Sequence, residues 1–232
     1  MSYQLTVQPP ASGNSFVLLL LGGKLLWQSQ SDSAGYSSPM IYEAGGARRV
    51  VVLTANSAMG LDLASGKLQW RYERVANGVA NIATPIVHGG EIFLSSDYGT
   101  GCVLLKTGGS DASEVYFSRN MQNHYSTSVL VDGYLYGFSA SILTAMKFET
   151  GDVSWRDRSV GKGSLIYADR HLYALGEDGI VGLVDATPAG YHEISRFEIA
   201  KGSYPTWSQP VIANGKLYLR EQDNLFCYNL KK

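Results

Sequence analysis

Apolar residues fall in short runs along this chain, and each run is closed by a polar or glycine pair. Residues 39–42 and 50–54 form one such couple of runs, with Gly45-Gly46 between them. Further couples are 85–88 and 92–95 around Gly89-Gly90, 129–131 and 134–136 around Asp132-Gly133, and 165–167 and 172–175 around Asp169-Arg170. The last couple, 210–213 and 216–219, closes on Asn214-Gly215. Two apolar runs across an Asn-Gly or Asp-Gly pair predict a β-hairpin, because those residues accept the left-handed backbone of the tight turn. No window of a dozen residues carries the 3.6-residue period of an amphipathic helix.

A second pattern runs through the first. In 60–70, Gly-Leu-Asp-Leu-Ala-Ser-Gly-Lys-Leu-Gln-Trp, a strand, a tight turn and a second strand end on Trp70. The stretch 144–155 repeats it and ends on Trp155. Residues 22–27 copy its second half, 181–187 its first half, and 102–106 with 115–117 a version split by a longer turn. The aromatic ends are expected at 27, 70, 117, 155 and 197. Steps of about forty residues with several strands per step indicate a repeat array. The prediction is an all-β fold, a β-propeller of about five four-stranded antiparallel blades. The fifth unit stops at its third strand, 224–228, and the strand 24–28 is spare at the other end of the chain. Entry of that N-terminal strand into the last blade would close the ring and cover both sheet edges. Residues 1–21 are expected as an irregular arm and strand, with Pro9-Pro10 in the arm, and 22–232 as a single propeller domain.

Composition narrows the function. The chain has 232 residues, 17% of them charged, and a net charge of −1. No basic run is present to draw nucleic acid or an anionic membrane. The most apolar run, 16–21, is too short to span a bilayer and has no basic flank, so it reads as a strand. Cys102 and Cys227 are the only cysteines, and both sit in apolar strand-like runs as buried small hydrophobes. The four histidines have no ligand spacing, so no metal site is predicted.

The motif Asp62-x-x-Ser65-Gly66-x-x-x-Trp70, its copy Thr150-Gly151-x-x-x-Trp155, and the openings Ser38-Pro39 and Thr84-Pro85 resemble the quinoprotein-type (PQQ-like) β-propeller repeat. The resemblance spans roughly residues 22 to 230. Longer phrases such as Tyr36-Ser37-Ser38-Pro39, Ala80-Asn81-Ile82 and Val160-Gly161-Lys162-Gly163 are similar to the C-terminal part of a larger bacterial repeat protein. The repeat occurs in quinone-cofactor alcohol dehydrogenases and in non-enzymatic relatives such as an outer-membrane assembly scaffold lipoprotein. It therefore implies architecture more than activity. The dehydrogenases stack their quinone on a disulfide of adjacent cysteines and set calcium beside a carboxylate base. Cys102 and Cys227 are not adjacent and no matching ligand set is present, so no cofactor is predicted. With no export signal the chain as given is expected in the cytoplasm, although relatives of this type are often exported.

In a propeller the loop entering each inner strand opens at one mouth of the central channel. Three or four residues before each predicted inner strand stand Tyr36, Asn81, His124, Lys162 and Trp207. One residue before each stand Ser38, Thr84, Thr127, Ser164 and Gln209. Tyr36 and Trp207 suit stacking, Asn81 and Gln209 hydrogen bonding, and His124 with Lys162 acid–base or anion contact. Polar residues in these places equally serve to tie neighbouring strands. Three readings stand. A binding or scaffold propeller takes a small molecule, protein or peptide at the channel mouth. An enzyme, whether a quinoprotein-like oxidoreductase or a hydrolase or lyase, uses His124 and Lys162. A truncated propeller self-assembles into a homo-oligomer through its edges.

Overall fold

A computed structural model of the chain describes residues 3–8, 16–21 and 24–230. Pro9-Pro10 and Gly22-Gly23 lie outside the described residues. The chain divides into two compact units, Met1–Gln122 and Asn123–Lys232. Among the described residues all regular structure is β-strand, arranged as antiparallel sheets of propeller-blade type.

In the first unit β1 (Tyr3–Gln8), β2 (Phe16–Leu21) and β3 (Lys24–Ser29) form a three-stranded sheet. A four-stranded sheet follows: β4 (Met40–Ala44), β5 (Ala47–Leu53), β6 (Ala58–Asp62) and β7 (Leu68–Tyr72). The next holds β8 (Ile86–His88), β9 (Glu91–Ser96), β10 (Gly101–Gly108) and β11 (Asp111–Ser118). In the second unit β12 (Val129–Val131), β13 (Tyr134–Ser139), β14 (Ile142–Lys147) and β15 (Val153–Asp157) make one sheet. Another comprises β16 (Gly163–Ala168), β17 (His171–Gly176), β18 (Ile180–Asp185) and β19 (Glu193–Glu198). The last has three strands, β20 (Val211–Ala213), β21 (Lys216–Glu221) and β22 (Asn224–Asn229).

The predicted hairpins form where the turn residues demanded them. Asp132-Gly133 has φ of 48° and 80°, and Asn214-Gly215 has 53° and 72°. Two successive positive φ values are the type I′ geometry, whose twist matches the flanking strands. Two expectations need correction. Tyr3–Gln8, placed in an irregular arm, is a strand registered residue by residue against β2. The strand 24–28 was expected to complete the last sheet, but β3 pairs with β2 through Val17↔Ser29 to Leu21↔Lys24, and among the described residues the last sheet has three strands. A third correction concerns the cysteines. Both are free thiols and Cys102 is buried, but Cys227 is exposed because its strand is the outermost of a three-stranded sheet.

The repeated motif carries contacts between neighbouring sheets at Trp27, Trp70 and Trp155. Asp62 Oδ1 accepts hydrogen bonds from the Ser65 N–H at 2.8 Å and the Ser65 hydroxyl at 2.6 Å, and the Gly66 N–H donates to Asp62 O. Gly66 closes this turn with φ of 72°, and a Cβ there would sit 2.6 Å from the Trp27 ring. Glycine thus serves both the turn and the close approach of an indole from the preceding sheet. Trp27 lies on that turn and donates its indole N–H to Leu63 O at 2.9 Å, over a core of Val50, Val52, Met59 and Leu61. Trp155 repeats the contact in the second unit, donating to Thr187 O at 2.7 Å and packing with Tyr136, Leu165 and Leu172. Trp70 is buried against Ile92, Leu94 and Val103 of the following sheet, while its N–H turns back to Tyr42 Oη at 2.7 Å.

Five outer strands carry a β-bulge at the same place, between Leu19/Leu20, Gly60/Leu61, Leu104/Leu105, Ala145/Met146 and Leu183/Val184 of their partners. The bulge re-aims one outer-strand residue. Those residues are Trp27, Trp70, Tyr116, Trp155 and Ser195. The expected aromatic ends at 117 and 197 are therefore out of register. Phe117 packs back onto the core shared with Trp70, and Phe197 pairs with Val181, two residues beyond the docking position.

Gly60 faces Trp70 across the sheet, and a Cβ at Gly60 would overlap both the Trp70 indole nitrogen and Tyr42 Oη. Gly60→Ala is expected to cost about 1–3 kcal/mol through overpacking, read from the urea midpoint. Combined with Trp70→Phe, which withdraws the clashing edge, the two losses should fall short of additive. Full additivity would contradict the contact.

Candidate functional site

Three loops of the second unit, leading into β12, β16 and β20, bring His124, Lys162 and Trp207 together. The hub between them is Glu177, the first residue after β17. Its place follows from the hairpin register. Ala168↔His171 sits beside the Asp169-Arg170 turn, and pairing continues outward to Gly163↔Gly176. The next residues out are Lys162 and Glu177, and the Glu177 N–H donates to Lys162 O at 2.7 Å. Their side chains meet as an ion pair, with Lys162 Nζ 3.4 Å from Glu177 Oε1.

The same carboxylate oxygen accepts the Trp207 indole N–H at 2.7 Å. One face of the indole stacks on Tyr125, with ring centroids 5.0 Å apart and planes 13° from parallel. His124 meets the indole edge-on at 5.3 Å and 90°, an arrangement that suits the quadrupoles of the two rings. Lys162 Nζ stands 5.5 Å from the Tyr125 ring centre and 5.8 Å from that of Trp207. Trp207 is 53% exposed, whereas His124 is only 9% exposed. The outcome is an indole held on one face, one edge and its nitrogen, with surface left for contact.

Two hydroxyls in the cluster, Tyr125 Oη and Thr206 Oγ1, are buried without a hydrogen-bond partner. Burial, aided by the negative charge of Glu177, lifts the Tyr125 phenol above the ordinary tyrosine range, so it stays a neutral hydroxyl. The loop carrying Trp207 is anchored below. Ser164, fully buried at the start of β16, donates to Ser208 O at 3.2 Å. Ser164 thus acts as the strand tie that its position allows, and Gln209, one residue on from Ser208, is exposed and takes no part in the contacts around Trp207.

Tyr36 and Asn81 belong to the first unit and meet there, the Tyr36 N–H donating to Asn81 O at 2.9 Å. Tyr36 is 74% exposed. Asn81 is fully buried, and its side chain is engaged inside the unit. Its amide donates to Thr54 O and Asn77 O, and its Oδ1 accepts from Ser96 Oγ at 2.7 Å. Asn81 is therefore a structural tie between loops and strands rather than a group offered outward. Ser37, beside Ser38, makes a comparable tie by donating to Ala83 O at 2.9 Å.

Sequence reading missed Tyr125 and Glu177. Tyr125 adjoins His124 in the same entry loop. Glu177 was legible by counting outward from the Asp169-Arg170 turn, which sets an acid opposite Lys162. The cysteines are separate free thiols, and among the described residues no group of three or more His, Cys, Asp or Glu is placed to hold a metal ion. No helix among the described residues is long and apolar enough to cross a membrane.

Glu177→Ala removes the acceptor of the indole N–H and the partner of Lys162. The near-UV circular dichroism of the stacked Tyr125–Trp207 pair should fall markedly. Stability should change by only about 1 kcal/mol, because the contacts lie at the surface. An unchanged aromatic signal would contradict the assignment of Glu177 as the hub.

The profile of the family described as outer membrane protein assembly factor BamB matches residues 11–157. That span includes His124 and Tyr125 but not Lys162, Glu177 or Trp207. Among solved structures, the crystal structure of BamB from Moraxella catarrhalis is similar with a TM-score of 0.72. The likeness covers 96% of this chain and 68% of that chain at 16% identity, and at that identity it concerns the fold. No curated protein matches the sequence.

Proposed function

The chain belongs to the outer membrane protein assembly factor BamB family, and on that premise we propose that it is a binding propeller that docks a partner protein through the Trp207 cluster. The observation that carries this reading is the Trp207 indole, half exposed yet fixed by Tyr125, His124 and Glu177. A rigid, partly exposed indole loses little conformational freedom on binding, and tryptophans of this kind recur as anchors of protein interfaces.

A binding role fits these residues better than a reactive one. A general acid or base has to reach the substrate proton, and His124 is buried under the edge of the indole. Lys162 is engaged by Glu177. Their formal charges cancel, so the cluster offers no net charge to steer a ligand, and binding rests on apolar and stacking contact. Its dependence on salt is correspondingly weak.

Photo-crosslinking in producing cells tests the reading. Tyr204 is 72% exposed in the loop that carries Trp207, and benzoylphenylalanine placed there should yield a discrete protein adduct. Trp207→Ala should cut that adduct about tenfold or more, in line with the loss of an interface anchor. Absence of a discrete adduct, or one indifferent to Trp207→Ala, would overturn the proposal.

A further inference from the structure

The interface between the sheet β16–β19 and the last sheet lacks the docked ring that joins other sheets. At the bulge where Trp27, Trp70 and Trp155 stand, β19 has Ser195. Phe197 does not substitute for it. Phe197 lies two residues further along the strand, about 7 Å away, against Tyr228 with ring centroids 4.9 Å apart. A cavity of about 230 Å³ remains, walled by Tyr173, Leu183, Ser195, Phe197, Leu217 and Tyr228. Leu183 opposite Ser195 does not account for the missing ring, because Leu104 stands opposite Tyr116 at the same bulge.

The polar end of the groove is also matched. Trp27 donates its N–H to Leu63 O, and the Leu63 N–H donates to Arg48 O. In the last sheet Leu230 holds that place, its N–H donating to Gly215 O at 2.9 Å, and Leu230 lines the cavity. The groove therefore repeats the apolar slot, and Leu230 holds the place of the carbonyl that receives the Trp27 indole; Trp155 donates one residue beyond the matching place, to Thr187 O. An enclosed apolar cavity of roughly 150 Å³ takes benzene from water; this groove has the volume for a planar ring and is open to solvent on one side.

We infer that the groove beside Ser195 is a binding site for a small planar aromatic molecule bearing a ring N–H, of the indole class. The ligand takes the place of the absent tryptophan side chain and closes the interface between the two sheets.

Titration of the intact protein with indole tests this. Saturable binding is expected, with the Tm rising by about 2 °C at saturation. Ser195→Trp fills the groove from within, so it should raise the Tm without ligand and weaken indole binding about tenfold or more. Independently of whether that variant folds, indole bound to the native protein should give nuclear Overhauser contacts to the Phe197 and Tyr228 rings. No saturable binding, an undiminished response in a folded Ser195→Trp protein, or contacts confined to other residues would overturn the inference.

Discussion

Two sheet junctions rest on one kind of contact, an aromatic ring from the outer strand of one sheet laid onto the turn of the next, Trp27 on Leu63 O and Trp155 on Thr187 O. A blade of this size has two apolar faces and cannot bury them alone. The bulge in the outer strand aims one side chain across the gap, and the Asp-x-x-Ser-Gly turn presents a flat bed and a carbonyl to receive it. Each Trp buries on the order of 150–250 Å² in doing so. The rest of the motif is subordinate. Asp62 fixes the turn, Gly66 leaves room for the ring, and Gly60 leaves room for Trp70 and Tyr42.

The Trp207 cluster sits on this scaffold at the ends of strands whose register is already set. β16 and β17 are locked by the Asp169-Arg170 turn, so Lys162 and Glu177 meet without help from a ligand. Ser164 then pins the loop that carries Trp207. A partner meets an indole whose orientation is fixed before contact, which is the physical meaning of preorganisation. The first unit devotes comparable polar groups to internal ties, with Asn81 joining Thr54, Asn77 and Ser96.

The fold was legible because period-2 apolar runs, Asn-Gly and Asp-Gly turns and the tryptophan phase all act locally. What escaped was register across the bulge. One extra residue in the outer strand shifts the count, so Tyr116 and Ser195 take the positions that a simple spacing gave to Phe117 and Phe197. The N-terminal sheet escaped for another reason. Pro9-Pro10 masked the alternation of Tyr3–Gln8, and the strand 24–28 found a partner close in sequence. In the site, His124, Lys162 and Trp207 were legible from their place before each inner strand. Asn81 kept both a tying and an outward reading, because a buried amide and an offered one share the same sequence position.

The central claim is that a docked ring sets how firmly adjoining sheets are held. Native-state hydrogen exchange on the wild type and on Trp155→Ala tests it most directly, since amides report the opening free energy of each strand. The account predicts that loss of the one ring brings the opening free energies of β13 and β17 down toward that of β21, whose sheet meets Ser195 instead of a tryptophan. Protection of β13 and β17 retained at wild-type levels would contradict it.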